Sequence, residues 1–364
     1  MRKLTVALGK RSYPILIGAR LLGRAGQELV RLGFHTPPIV VADARVMRSH
    51  GRALLASLEG AFGDVRVLRI PGGEGSKSVE TLLRIFRALL RHRAHRGSWL
   101  ISFGGGTVGD VAGFAAATFL RGIPYVQIPT TLLAQVDSAV GGKVAINLAQ
   151  GKNLVGAFHQ PRAVISDVEV LRTLPRDEFR AGLYEVIKAG AVGSPALVRL
   201  LEHELEDMLD GRPGPLERVV VESCRIKARV VARDERERDL RMILNFGHTV
   251  GHALEGAADY RRFRHGEAVA WGMLAALEYG TTAGVTGDRT SRRLAGLIRR
   301  AGRLPALKPL QFVRMWKCLE RDKKAQGGCI RMVLLSRLGA PVIVREPEPN
   351  RLRRFLKAFW AAQS

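Results

Sequence analysis

Between Trp99 and Phe119 the chain passes from an apolar run, WLISF, straight into GGGTVGD and on into the small-residue run VAGFAAATF. An apolar strand that ends on clustered glycines and restarts as a helix reads as a tight β-to-α turn packed closely on a sheet. The preceding segments keep the same rhythm. PPIVVADARV is a short apolar run that ends a strand at Asp43. A helix is predicted over Arg48–Glu59, a strand over Val65–Ile70, a helix over Ser78–Arg91 and a strand over Trp99–Phe103. Residues 1–18 alternate well enough for a hairpin-like pair of strands, and Leu21–Leu32 has helical periodicity. Strands alternating with helices predict βαβ units and a mostly parallel sheet, with ligands at the carboxyl ends of the strands.

The glycine turn sits at such an end. Backbone amides there approach a pyrophosphate closely, and the helix N-terminus adds a favourable dipole. GGGxxGD is not the GxGxxG fingerprint, so close helix–sheet packing explains it equally well by itself. A second turn, PGGEGSKS at Pro71–Ser78, offers Glu74 and Lys77. Asp43 has the position of a nucleoside-hydroxyl acceptor, although a lone Asp after a strand is more often a turn or helix-cap residue. Further on, Arg121, Lys143 and Lys152 alternate with Asp137, Asn147, Asn153 and Gly141, Gly142, Gly151. Cations in glycine-permitted loops suit a phosphate or carboxylate.

From Leu174 the texture changes to long amphipathic helices, which places a domain boundary near Arg172–Pro175 and predicts an α/β domain over 1–173 and an all-α domain over 174–364. PRDEFRAGLYEVIKAGAV carries Glu185 and Lys188 three apart on one helical face, where Glu185 either supplies the carboxylate of a metal site or forms an ordinary ion pair. Lys227 lies on a helix over Ser223–Asp234. RMILNFGHTVGHALEGAADYRRFRHGE, Arg241–Glu267, holds three histidines: His248 and His252 one helical turn apart, and His265 beyond a basic turn that lets it fold back. Two or three imidazoles with a carboxylate from elsewhere make an open zinc site. Lys323 and Lys324 precede an extended apolar run in the tail.

With 58 Lys and Arg against 33 Asp and Glu, the formal net charge is +25. The arginines are spread along the whole chain and no nucleic-acid-binding motif accompanies them, so the charge fits solvated faces and the steering of an anionic small substrate; no nucleic-acid partner is expected. Cys224, Cys318 and Cys329 are odd in number and lack CxxC spacing, which gives neither a disulfide framework nor a cysteine zinc site. The N-terminal residues have no apolar signal core and no run reaches membrane-span length, so no membrane is expected and the default expectation is cytoplasmic.

Taken together and in order, GGGTVGDVAGFAAATFLRGIPYVQIPTTLLAQVDSAVGGK, GKNLVGAFHQP, EVIKAG, LNFGHTVGHALE, HGEAVAWGM and DKK resemble the 3-dehydroquinate synthase family of sugar-phosphate cyclases. The blocks cover nearly the whole chain. The resemblance implies an N-terminal Rossmann-like NAD-binding α/β domain, a helical C-terminal domain, an active site in the cleft between them, and a homodimer in which Arg121 serves the neighbouring subunit. It implies that Glu185, His248 and His265 bind a divalent metal, Zn2+ or Co2+, and that His252 is a catalytic residue on the substrate side. Asp43, Glu74, Lys77, Gly105, Gly106, Thr107, Asp110, Thr130, Thr131 and Thr173 are then NAD contacts, joined by Lys143 and Lys152. Asp137, Lys143, Asn153, Lys188, Lys227, Arg241 and Asn245 hold the substrate, with Arg121, Lys152, Lys323 and Lys324 around its phosphate.

The implied reaction, the second step of the shikimate pathway, converts an anionic sugar phosphate, 3-deoxy-D-arabino-heptulosonate 7-phosphate, into 3-dehydroquinate and phosphate. It proceeds by transient oxidation by NAD, phosphate elimination, re-reduction and intramolecular aldol closure. One departure is the loop Asn147-Leu148-Ala149-Gln150, where family members often carry a proline before the GKN element. Cyclases such as 2-deoxy-scyllo-inosose synthase are the alternative, but they tend to change the carboxylate pocket, and Lys188, Arg241, Asn245 and His252 are all present here. A polyol dehydrogenase of related fold would release NADH stoichiometrically. A non-enzymatic, nucleic-acid-binding descendant would have lost a site residue, and none is lost.

Overall fold

The computed structural model describes residues 1–308, 310–325, 329–346 and 348–363, and of residues 322–325 the backbone alone. In chain order it contains β1 (Arg2–Val6), β2 (Tyr13–Gly18), α1 (Ala25–Arg31), β3 (Ile39–Asp43), α2 (Ala44–Phe62), β4 (Arg66–Ile70), α3 (Val79–Arg91), β5 (Leu100–Gly104), α4 (Gly106–Thr118), β6 (Tyr125–Pro129), β7 (Lys143–Leu148), β8 (Gly151–Phe158) and β9 (Ala163–Asp167). These are followed by α5 (Arg176–Gly193), α6 (Pro195–Leu209), α7 (Pro213–Arg233), α8 (His248–Ala257), α9 (His265–Thr282), α10 (Asp288–Ala301), α11 (Phe312–Ala325), β10 (Ile330–Arg337), β11 (Ala340–Glu346) and α12 (Pro349–Ala362). Two compact units result, Met1–Pro175 with Asp207–Glu235, and Arg176–Glu206 with Arg236–Ser364. The change of texture at 173/174 therefore falls beside a unit boundary, but residues 207–235 pack with the first unit. Helical periodicity in α7 shows that it is amphipathic and is silent on which sheet receives its apolar face.

In the first unit a seven-stranded sheet has the order β1-β2-β9-β6-β5-β3-β4, with β1 and β2 the antiparallel pair and the other pairs parallel. Strands β3, β5, β6 and β9 are buried along their whole length, as continuous apolar runs covered on both faces must be. Leu82, Ile85 and Leu89, at helical spacing on α3, bury one stripe, and the Ser78 hydroxyl caps that helix by accepting from Thr81 N. The chain steps from β3 to β4 on one side and then crosses back to place β5 on the other. The crevice between the ends of β3 and β5 is thus a topological switch point, the place where open α/β sheets bind ligands. Asp43 ends β3 there and Gly104 ends β5.

Lys143 and Lys152, expected in loops, lie instead on β7 and β8, a two-stranded antiparallel sheet with Lys143 opposite Phe158. The glycines that suggested loops mark its entry, where Gly141 and Gly142 have φ of 102° and 67°.

The second unit is helical, as expected, with one addition: β10 and β11 form an antiparallel hairpin. α9 is its centre, with Ala268, Val269, Trp271 and Met273 among the buried residues, and it packs on α5 and α8. Two glycines let it approach so closely. A Cβ on Gly266 would stand 1.9 Å from the Ala181 carbonyl oxygen of α5, and one on Gly272 would stand 1.8 Å from the Gly247 carbonyl oxygen at the start of α8. No helix among the described residues is long and apolar enough to cross a membrane.

Candidate active-site residues

In the first unit the glycine turn opens α4. Gly105 is its N-cap, with no side chain capping the helix, so the first amides face the switch point. A Cβ on Gly104 would lie 3.3 Å from the Asp43 Cβ, one on Gly105 3.0 Å from Thr131 Cγ2, and one on Gly106 2.7 Å from Ser138 Oγ. Thr130, 4% exposed, donates its amide to the Gly104 carbonyl at 2.9 Å, while its buried Oγ1 has no hydrogen-bond partner among the described residues. A buried hydroxyl beside an uncapped helix start fits the phosphate-and-ribose side of a dinucleotide such as NAD. Asp43 is also a structural cap, its Oδ1 accepting from Arg45 N at 2.7 Å.

Behind this turn the predicted polar residues form one network. Lys77, 4% exposed, donates from Nζ to Asp110 Oδ2 at 2.6 Å and to Asn153 Oδ1. Asn153 donates its amide to Asn147 Oδ1 at 2.9 Å, Asn147 donates from Nδ2 to Glu74 Oε1 at 2.8 Å, and Lys152 Nζ lies 4.0 Å from the same oxygen. Asn153 adopts a left-handed φ of 57°, a cost that the hydrogen bonds on both sides of it offset. Burial pushes the Asp110 carboxyl up to about 6 against the opposing charge of Lys77. Lys227, on α7, donates to both Oδ1 and the carbonyl of Asp137 at 2.6 Å, an ion pair that unites two of the predicted substrate residues. The described contacts do not join Arg121 or Thr173 to this group. Arg121 stands in an exposed turn with φ 69°, next to Leu120 with φ 51°, and Thr173 meets His50 Nε2 at 2.6 Å.

In the second unit the three histidines converge. His248 and His252 have ring centroids 5.1 Å apart, His248 and His265 5.2 Å, and His252 and His265 5.9 Å. One ligating atom from each lies within 4.8 Å of the others, so a three-histidine set is geometrically open. Glu185 makes a second set. It is 1% exposed, and its Oε1 lies 3.8 Å from His248 Nε2 and 3.6 Å from His265 Nε2. Neither carboxylate oxygen accepts a hydrogen bond among the described residues, although Oε2 is in ion-pair contact with Lys188, itself 3% exposed. A buried carboxylate without hydrogen bonds, faced by two imidazoles, is a set of donors that could hold a divalent cation.

The other ring nitrogens favour the Glu185 set. His248 Nδ1 meets the Phe246 carbonyl at 3.4 Å and His265 Nδ1 meets Glu255 Oε2 at 3.1 Å, and in both rings Nε2 is the nitrogen that faces Glu185 Oε1. Burial pulls the His265 pKa down, but the hydrogen bond and charge of Glu255, with the charge of Glu185, outweigh it and hold the pKa above the ordinary value. Arg241, 3% exposed, and Asn245 lie on the short turn Leu240–Asn245 just before α8, with Asn245 Nδ2 donating to Glu237 Oε1 at 3.0 Å. The side chains of Lys323 and Lys324 lie outside the described residues. Sequence reasoning missed Glu255, whose signal was its place seven residues after His248, and Gly266 and Gly272, whose role depends on contacts between distant segments.

The N-terminal family model of 3-dehydroquinate synthase matches residues 67–181, and the C-terminal one matches residues 182–325. The chain is 46% identical over 358 residues to a 3-dehydroquinate synthase of Symbiobacterium thermophilum, an alignment covering 96% of this chain and 99% of that one. The chain belongs to the 3-dehydroquinate synthase family. A 3-dehydroquinate synthase of Pelobacter propionicus is 45% identical over 345 residues, covering 94% and 96% of the two chains.

Solved structures related to the family extend the comparison. A 2-deoxy-scyllo-inosose synthase with carbaglucose-6-phosphate, NAD+ and Co2+ superposes with a TM-score of 0.87 at 26% identity, over 98% of this chain and 99% of that one. A 2-epi-5-epi-valiolone synthase of Streptomyces hygroscopicus with NAD+ and Zn2+ gives 0.88 at 28% identity, with the same coverage. A glycerol dehydrogenase of Schizosaccharomyces pombe, at 17% identity and a TM-score of 0.67 over 96% and 89% of the two chains, shares the fold with the family.

Proposed function

We propose that this chain converts 3-deoxy-D-arabino-heptulosonate 7-phosphate into 3-dehydroquinate and phosphate, the 3-dehydroquinate synthase reaction of the shikimate pathway, using NAD and a divalent metal. The observation that carries this reading is near-complete alignment at 46% identity with a relative of that activity, where the solved cyclases of other products stand at 26% and 28%. Bound metal supplies Lewis-acid polarisation of a substrate hydroxyl, and bound NAD supplies a reversible hydride acceptor. Glu185, His248 and His265 would hold the first. The Gly105-Gly106 turn with Thr107, Thr130, Thr131 and Asp43 would hold the second, flanked by Glu74, Lys77, Asp110, Lys143, Lys152 and Thr173.

The chain's own groups account for the remaining chemistry. Arg241 and Lys188 are buried cations suited to the substrate carboxylate. Asp137, held by Lys227, is an acceptor for a substrate hydroxyl, and Asn153 and Asn245 fix further hydroxyls. His252, the exposed histidine of the three, is placed for proton transfer to and from substrate oxygen. Arg121, Lys152, Lys323 and Lys324 complement the phosphate. Fixed cations aimed at developing oxyanions, together with selection of one reactive conformer, supply most of the acceleration.

A homodimer is part of the proposal. Leu120, Leu154, Val155 and Phe158 are exposed apolar side chains of the first unit, and Arg121 is held next to Leu120 on left-handed backbone, a costly conformation suited to reaching a second copy. A cytoplasmic location accords with a biosynthetic enzyme that takes a phosphorylated substrate. One assay tests the central reading: phosphate release from the heptulosonate phosphate with NAD in catalytic amount. The expected result is stoichiometric phosphate and 3-dehydroquinate with no net NADH. Net NADH would point to a polyol dehydrogenase, and turnover of glucose 6-phosphate instead would point to an inosose-type cyclase.

A further inference from the structure

We propose that Glu255 is a positioning residue that fixes His265 as a metal ligand, a role that rests on the metal reading above. Glu255 lies seven residues after His248 on α8, so the two side chains share one helix face. It is 4% exposed, and its Oε2 accepts from His265 Nδ1 at 3.1 Å, while His265 Nε2 lies 3.6 Å from Glu185 Oε1. One imidazole is thus held between two buried carboxylates, one on each nitrogen. A carboxylate oxygen facing Nδ1 accepts its proton, so of the two neutral tautomers of His265 Glu255 favours the one with the proton on Nδ1 and the lone pair on Nε2.

His265 stands at the entry of a helix, as His248 does, and its Nδ1 partner is a carboxylate. It is the first residue of α9 and arrives from a turn in which Asp259 and Tyr260 have left-handed φ of 50° and 57°. Glu255 acts at both ends of that turn. Its carbonyl accepts from Tyr260 N at 2.8 Å where the chain leaves α8, and its carboxylate catches His265 where the chain enters α9. Losing such an outer partner typically weakens metal affinity 10–100-fold.

The test measures Zn2+ affinity of the metal-stripped full chain by competition with a chromophoric chelator, for wild type, Glu255→Gln, Glu255→Ala and His265→Ala, alongside the melting temperature of each stripped protein. The expected result is a Kd for Zn2+ raised about tenfold in Glu255→Gln and nearer a hundredfold in Glu255→Ala, with kcat recovered at saturating metal. A Kd within about twofold of wild type in the folded variants, with or without a lowered melting temperature, overturns the proposal; if Glu255→Ala does not fold, the isosteric Glu255→Gln decides. Failure of the underlying reading is distinct, because wild type itself would then bind no Zn2+, whereas loss of Zn2+ in His265→Ala with unchanged Glu255 variants refutes the Glu255 role alone.

Discussion

Two ligand sets compete in the second unit, and replacing Glu185 by Gln and His252 by Ala separates them. The Glu185 set has one carboxylate oxygen 3.8 and 3.6 Å from two Nε2 atoms, and the three-histidine set has ligating atoms within 4.8 Å. Metal at a hundredfold above its Kd adds about 2.7 kcal/mol to stability. For a unit of this size that amounts to a rise of roughly 5–11 °C in melting temperature, at about 2–4 °C per kcal/mol. Removing a ligand itself costs at least the upper end of what losing an outer-shell partner costs, about a hundredfold in affinity. At the same metal concentration Glu185→Gln then keeps only about 0.4 kcal/mol, a shift of roughly 1–2 °C. The neutral side chain also removes the Glu185 charge in contact with the buried Lys188, so the baseline of the stripped variant falls as well. For that reason the readout is the metal-induced shift by scanning calorimetry, not the absolute melting point. His252→Ala is expected to keep the full shift while losing turnover. Full shift in Glu185→Gln with none in His252→Ala would refute the assignment and establish the three-histidine set.

Three other perturbations address the scaffold and the substrate. Gly266→Ala places a Cβ 1.9 Å from the Ala181 carbonyl oxygen, so α9 must move away from α5; a loss of about 1–3 kcal/mol and weaker Zn2+ binding are expected, and calorimetry with unchanged values in both would sink the packing argument. Arg241→Ala is expected to raise KM for the heptulosonate phosphate by tenfold or more, from the roughly 1.5–3 kcal/mol of a charged hydrogen bond, and to leave the NAD Kd unchanged by fluorescence titration; equal losses would contradict its role. Asp110, pushed up to about 6 by burial, binds its proton more tightly in the folded protein than an ordinary carboxyl does. Its contribution to stability is therefore present at low pH and lost as pH rises through about 6. Asp110→Asn should flatten the pH dependence of the melting temperature between about pH 4 and 6, by up to roughly 3 kcal/mol, and an unchanged slope would show that the carboxyl is not shifted.

The parallel sheet was legible because β3, β5 and β6 are continuous apolar runs broken by turn residues, a local signal. The β7–β8 pair was not, because its strands carry lysine and glycine and their pairing is a relation between two segments. The placement of α7 fails for the same reason. The metal site divides along this line too. The spacing of His248 and His252 predicted convergence, and their rings do lie 5.1 Å apart. Spacing cannot say, though, which nitrogen of each ring faces Glu185, and the proposed division between metal ligand and proton carrier rests on that. His248 and His265 have their Nδ1 atoms engaged by the Phe246 carbonyl and by Glu255, which turns each Nε2 toward Glu185. For Glu185, three residues from Lys188, the sequence left open a metal carboxylate or an ordinary ion pair; its burial, with two imidazoles facing it and no hydrogen bond on either oxygen among the described residues, is what supports the proposed ligand role. For His265 the partner on the far side of the ring, Glu255, comes from another helix, a relation that spacing along the chain does not carry.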